Sequence, residues 1–299
     1  MKQGWRTRAI GRHLVDIPEN AKTIETYIFN EDKVKPLSDI RSQEHYERLL
    51  AEKEQALRAA KHEKFGSMFV ERVEHANDAV TLISWNRPTG NIFYVFDTYF
   101  LADNRYLNSI GEVSRDLKAT ALQTCAELSR QWRQTTNGVT PESVGYIVDD
   151  AILVEKRFNP ESWRMVIQLP GKPDVFFELT SYALYRVEPG LRERAGGVVA
   201  GLLGTMAGLS RLRDRARPVG SIQADEILLA STQDGKRGYG FKWEAPGKAR
   251  SLAEPNLNAS LRVGESAYTT NKESFASDEE ALELWDAVID SIRLRPGAV

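Results

Sequence analysis

Apolar and polar positions alternate at the start of the chain, where His13, Val15 and Ile17 take turns with Arg12, Leu14 and Asp16. That period of two marks a strand with one buried face, and Pro18 ends it because proline cannot donate to a ladder. A second β-like run, Thr23 to Asn30, is rich in β-branched and aromatic residues. From Ile40 to about Lys64 the period changes: Tyr46, Leu49, Leu50, Leu57 and Ala60 share one side of a helix, and charge covers the rest. Glu44/Arg48 and Glu54/Arg58 are spaced as i,i+4 pairs, each contributing only about 0.2–0.5 kcal/mol. Phe69 to Val73, Val80 to Trp85 and Ile92 to Leu101 read as three further strands, with Arg87-Pro88-Thr89-Gly90-Asn91 as a hairpin connection. An amphipathic helix follows from Val113 to about Trp132, and the turn residues Thr136 to Pro141 stop it.

The second half repeats this plan. Ile152 to Arg157, Trp163 to Leu169 and Val175 to Leu184 are strand candidates, followed by a helix from about Leu191 to Arg213. Ile222 to Ser231, Tyr239 to Trp243 and Ala259 to Val263 supply three more strands, with Asp234 to Gly238 as a tight turn. Ser277-Asp278-Glu279-Glu280 is a capping box opening a helix whose apolar face carries Ala281, Leu282, Trp285, Val288, Ile289 and Ile292. Pro296-Gly297 closes it. One phrase returns: Arg12 to Pro18 (RHLVDIP) resembles Arg164 to Pro170 (RMVIQLP), at a spacing of about half the 299 residues. A repeat that long is a duplicated domain, since solenoid units recur every ~20–50 residues. The expectation is an α+β chain of two tandem, similar domains, 1–138 and 139–299, each a mainly antiparallel sheet with helices packed on it, and a cleft between them.

Composition narrows the chemistry. With 41% apolar residues there is material for two ordinary cores, and 40 basic against 42 acidic residues leave a net charge of −2. Nothing attracts a phosphate backbone, so nucleic acid is excluded as a partner class. The single cysteine, Cys125, rules out an internal disulfide and multi-cysteine metal sites, and its expected helical neighbours Leu117, Ala121, Leu128 and Trp132 make it a core residue. Met1 to Arg6 carries no apolar stretch of a secretory signal, which fits either a cytosolic chain or an exported one that has lost its leader.

No catalytic motif emerges. Gly204-Thr205-Met206-Ala207-Gly208 has nucleophile-elbow glycines but a methionine at the nucleophile position, and no lysine–hydroxyl pair completes a phosphate loop. His13, His45, His62 and His75 lack i,i+4 metal spacing. Asp149-Asp150 could be offered as an acid/base pair, yet adjacent residues of an extended chain point to opposite faces, which favours a linker or strand-edge role. Ala195 to Leu209 is apolar and glycine-rich but shorter than the ~20 residues of a membrane span, so it reads as a helix packed tightly on a sheet. Arg192, Arg194, Arg211, Arg213, Arg215 and Arg217 flank it, either as an anion-binding set or as exposed charges that keep it soluble.

Taken together, Gly11 to Pro18, Tyr239 to Glu244, Ser277 to Asp286 and Ser291 to Gly297, with the glycine-rich segment and its trailing arginines, resemble the immunity proteins of type VI secretion lipase effectors. The chain departs from that pattern at Ser221, Gln223 and Ala224, where the family carries a glycine- and proline-bearing turn. The resemblance implies a claw-like, non-catalytic protein that grips a phospholipase, holding its lid or blocking its active site, with no metal or cofactor. It also implies a periplasmic location, and leaves open peripheral membrane association or a lipid anchor. Trp85, Arg87, Tyr99, Tyr106, Arg237 and Tyr239 are the candidate partner-binding residues, because they combine anchor-type side chains with connections between strands. Trp243 and Trp285 read as structural. Two alternatives stand beside this one: a hydrolase using Asp149 or Asp150 at the interdomain cleft, and an envelope-surface protein docking through the apolar segment and its arginines.

Overall fold

A computed structural model describes residues 2–135, 141–187, 189–194, 209–233, 236–263 and 274–299. Two compact units divide it: Met1–Thr26 with Phe158–Val299 (unit 1), and Tyr27–Arg157 (unit 2). The opening residues therefore pack with the second half of the chain.

Unit 1 begins with the hairpin β1 (Trp5–Ile10) and β2 (His13–Pro18). β1 lacks an apolar face, since Arg6 and Arg8 share a side of the strand with Ile10, which hides it from a reading of hydrophobic alternation. β3 (Lys22–Phe29) spans the division, and its last residues pair with β4 (Asp32–Pro36) across a two-residue turn in which Asn30 and Glu31 both have positive φ. In unit 2 the helix α1 (Gln43–Ala59) starts at Ser42, whose hydroxyl accepts from the His45 N–H. Such a cap is worth about 1 kcal/mol. Then come β5 (Phe69–Glu74), β6 (Val80–Trp85), β7 (Phe93–Ala102) and β8 (Arg105–Ser114). α2 (Lys118–Leu128) is shorter than its amphipathic pattern predicts, since Val113 belongs to β8 and Trp132 to a small sheet. That sheet is β9 (Trp132–Gln134), β10 (Tyr146–Val148) and β11 (Ala151–Leu153).

Unit 1 resumes with β12 (Glu161–Gln168) and β13 (Val175–Ala183). The helix expected from Leu191 to Arg213 is helical at residues 191–194 but is a strand, β14 (Leu209–Ala216), from Leu209; the glycine-rich residues 195–208 lie outside the described residues. The tight turn at Asp234-Gly235 lies outside them as well. β15 (Asp225–Gln233), β16 (Lys236–Ala245), β17 (Asn256–Val263), α3 (Asp278–Ile289) and β18 (Arg293–Leu294) complete the chain. Ahead of Gln223 and Ala224, Val219 and Ile222 exchange both backbone hydrogen bonds around Gly220, whose φ of +57° suits glycine.

The large sheets of the two units have the same wiring. Unit 1 runs β12-β13-β17-β16-β15-β14 and unit 2 runs β3-β4-β8-β7-β6-β5, with the described pairings antiparallel, so the α+β class and the internal duplication hold. The counterpart of β12 is β3, however, and not β2 as the repeated phrase suggested. β2 lies in a separate small sheet between β1 and β18.

Each core follows from strand parity. In unit 2 Val80 and Leu82 meet Tyr46 and Leu50 of α1, while Ile83 and Trp85 point the other way toward Ala121, Leu122 and Cys125 of α2. Burial of Cys125 pushes its thiol pKa up, consistent with a packing role. In unit 1 Trp285 of α3 sits 5.4 Å from Phe177 and 5.6 Å from Phe241 by ring centroid, and its indole N–H donates to the fully buried Glu226 at 2.8 Å.

The hairpin is fixed by a buried ion pair. Arg12 grips Glu161 with two hydrogen bonds of 2.7 and 3.0 Å and donates a third, 2.6 Å, to the Ala298 carbonyl. Removing one partner of a buried pair strands the other charge, so Glu161→Ala is expected to lower the unfolding free energy by about 3–5 kcal/mol, measured by urea denaturation. His13 lies beside it, fully buried near Trp163. Burial, and then the Arg12 charge, lower its pKa to about 4 from 6.5. Between those values the unfolded chain binds a proton that the native imidazole refuses, so stability falls as pH drops from about 6.5 to about 4. His13→Phe should flatten that decline in a pH series of urea midpoints.

Candidate partner-binding surface

The six residues singled out in the sequence separate by burial. Trp85 is stacked on Phe65 at 4.6 Å and packs on Tyr94 at 4.7 Å, inside unit 2. Tyr99 and Tyr106 are buried around Tyr46 of α1, and the Tyr99 hydroxyl donates to Asp97 at 2.8 Å. Burial, then the Asp97 charge, push the Tyr99 pKa far up. Tyr239 is buried in unit 1, and its hydroxyl donates to Asp278 at 2.8 Å. Its pKa is pushed up to about 12, by burial first and then by Asp278. Arg237 holds the same carboxylate at 2.7 Å, next to the N-terminus of α3. Only Arg87, in the β6–β7 connection, is an exposed residue among the six.

The arginines flanking the apolar segment are also occupied within unit 1. Arg192 and Arg211 reach Asp214 at 3.1 Å each, and Arg194 pairs with Glu244. Arg213 lies 2.6 Å from Asp286, Arg215 lies 3.1 Å from Glu226, and Arg217 bridges Asp286 and Asp290. Arg213, Arg215 and Arg217 alternate along β14 and its end, a period of two that was itself a strand signal. This set neutralises carboxylates of the same unit; it is not a patch waiting for lipid.

Asp149 and Asp150 form the two-residue turn between β10 and β11, with Asp149 at φ +54°. They line a cavity of about 510 Å³ in unit 2, together with Arg41, Arg105 and Tyr106, and Arg105 holds Asp150 at 3.1 Å. Among the described residues no cluster of three or more His, Cys, Asp or Glu side chains could hold a metal. Nor is any described helix long and apolar enough to cross a membrane.

The exposed anchors lie elsewhere, on the solvent side of β12, β13 and β17. Along β13, Val175, Phe177 and Leu179 point into the core, so Phe176, Glu178 and Tyr182 have the opposite parity. Phe176 is 48% exposed, and Tyr182 is 38% exposed. Phe176 faces Arg262 of β17 in register, and the guanidinium lies 5.8 Å from the ring centroid. Gly240 of β16 stands opposite Arg262, and a Cβ there would meet nothing within 4 Å, leaving a notch beside the pair. Arg164 and Glu178 form an ion pair on the same face. Beyond the end of β13, Arg250 lies 5.2 Å from the Phe158 ring and 5.4 Å from Tyr185. Aromatic rings already oriented by arginine are the side chains that anchor protein interfaces at low entropic cost. The sequence held the signal for Phe176 and Tyr182: large aromatic residues at the outward parity of a strand.

The chain matches the family described as Tle cognate immunity protein 4, its N-terminal domain over residues 6–120 and its C-terminal domain over residues 140–297. Among solved structures it is similar to the apo immunity protein TplEi of the T6SS from Pseudomonas aeruginosa, with 34% identity over 99% of both chains and a TM-score of 0.92. It is similar to a chain of the Tle4–Tli4 complex, with 34% identity over 100% of both chains and a TM-score of 0.93. TplEi complexed with "L" peptide aligns at 33% identity over 99% of this chain and 100% of that one, with a TM-score of 0.87. A comparison with curated proteins found no match. If burial assigns Trp85 to the core, Trp85→Ala should cost about 3–5 kcal/mol in urea unfolding, where an exposed tryptophan would cost little.

Proposed function

Because the chain belongs to the Tle cognate immunity protein 4 family, we propose that it neutralises a type VI secreted lipase effector by binding it. The observation that carries this reading is the full-length likeness to a chain of the Tle4–Tli4 complex. On this reading the protein works without catalysis, in the periplasm where such an effector meets its lipid. The turn carrying Asp149 and Asp150 is then a structural corner, with Asp150 held by Arg105.

The physical requirement is modest. A lipase that must move a lid to admit lipid is trapped by any partner that binds one lid state more tightly than the other, and the shift equals the difference in affinity. No nucleophile is needed. What is needed is a surface with a few deep anchors, and the solvent side of β12, β13 and β17 supplies them in Phe176, Arg262 and Tyr182. Truncating an interface anchor costs about 2 kcal/mol or more, roughly a thirtyfold loss of affinity.

The test uses the lipase encoded beside the gene for this chain. Phe176→Ala and Arg262→Glu should each weaken binding by about thirtyfold in calorimetry, with unchanged melting temperatures, because both side chains are exposed. The Asp149→Asn/Asp150→Asn double variant should inhibit the lipase as well as the parent does. Absence of any complex with the parent chain would remove the reading, and loss of protection in the aspartate variant would favour the hydrolase alternative.

A further inference from the structure

We propose that the loop end of unit 2 is a peripheral membrane-contact site for an anionic bilayer. Three connections converge there. The chain between α1 and β5 touches the β6–β7 connection through His62, whose Nε2 lies 2.7 Å from the Gly90 carbonyl, and through the Glu63 N–H, which donates to the Pro88 carbonyl at 3.0 Å. The turn leading into α2 joins them, the Arg115 N–H donating to the Ile92 carbonyl at 2.8 Å.

From these tips Ile92, Leu117, Phe65 and Phe93 stand out at 63%, 53%, 43% and 42% exposure. Phe65 rests on the buried Trp85, so the base of the cluster is rigid while its upper face is apolar and wet. Around it lie Lys61, Lys64, Arg87 and Arg115, and none of the four is held by a carboxylate among the described residues. The arginines of β14 in unit 1, by contrast, are each paired with a carboxylate. Glu63 and Asp116 are interspersed, yet the three connections together remain net positive on a chain whose total charge is −2.

An apolar tip within a cationic rim complements a negatively charged lipid surface: the side chains enter the headgroup boundary and the cations stay at its level. The apolar groups stand on three different connections, with Phe93 at the start of β7 beside Ile92, which favours a deformable lipid surface over a shaped protein partner. The contact is superficial by construction. It would hold the chain at the surface where a lipase acts, through residues other than the anchors on β13 and β17, so it stands whether or not those anchors bind an effector.

The experiment is cosedimentation of the full chain with vesicles of phosphatidylcholine alone and of phosphatidylcholine mixed with phosphatidylglycerol. The proposal expects binding to the anionic vesicles only, weakening as salt shortens the screening length below ~10 Å. Ile92→Ser/Leu117→Ser and Arg87→Glu/Arg115→Glu should each lower the vesicle partition coefficient about tenfold while leaving the melting temperature in place. No binding by the parent chain at low salt overturns it, as does undiminished binding by both variants. If the parent ignores vesicles and the variants lose the lipase instead, the tip belongs to the protein interface and the proposal falls.

Discussion

The buried Arg12–Glu161 pair decides how this chain is divided. A guanidinium and a carboxylate excluded from water are tolerable only when each satisfies the other, and here Arg12 also donates to the Ala298 carbonyl. The first hairpin, the start of β12 and the last residues of the chain are thereby held at one point. Arg295 follows the same path, its N–H donating to the Arg12 carbonyl, and Ser291 receives the Asp16 N–H. The N-terminal segment thus completes the C-terminal unit, and unit 2 is the stretch of chain left between.

Around that constraint the two sheets were built on one plan. Each has two strands, a crossing segment and a four-strand meander whose last strand returns beside the second. A reading of element order saw this duplication, because hydrophobic periods survive when residue identities drift. It misplaced the register, because a short apolar phrase such as that in β2 is also what any half-buried strand requires. Elements with a strong amphipathic face, α1 and α3, were legible, and α3 with its cap Ser277. β1, β4 and β14 were not, since each is short or charged and gains its place from pairing, not from an apolar stripe.

The candidate surface was less visible for a physical reason. Anchor-type residues near connections look available, but Trp85, Tyr99, Tyr106 and Tyr239 lie within strands and are buried. The informative residues were aromatic side chains on the wrong side of a strand for burial. Phe176 and Tyr182 interrupt an otherwise polar outer face, where the core offers them nothing. The arginines show the converse: six cations that suggest an anion site in the sequence are each met by a carboxylate in the fold. Family likeness supplied the partner class, and parity supplied the place to look for it.

The central claim is that this chain disarms a lipase by holding it against the face of β12, β13 and β17. Hydrogen–deuterium exchange of the chain, free and saturated with the lipase encoded beside it, tests that most directly. The account predicts new protection at 164–182 and 256–262, with lipase activity falling to zero at one equivalent. Protection absent from those segments, in a complex that nevertheless forms, would contradict it.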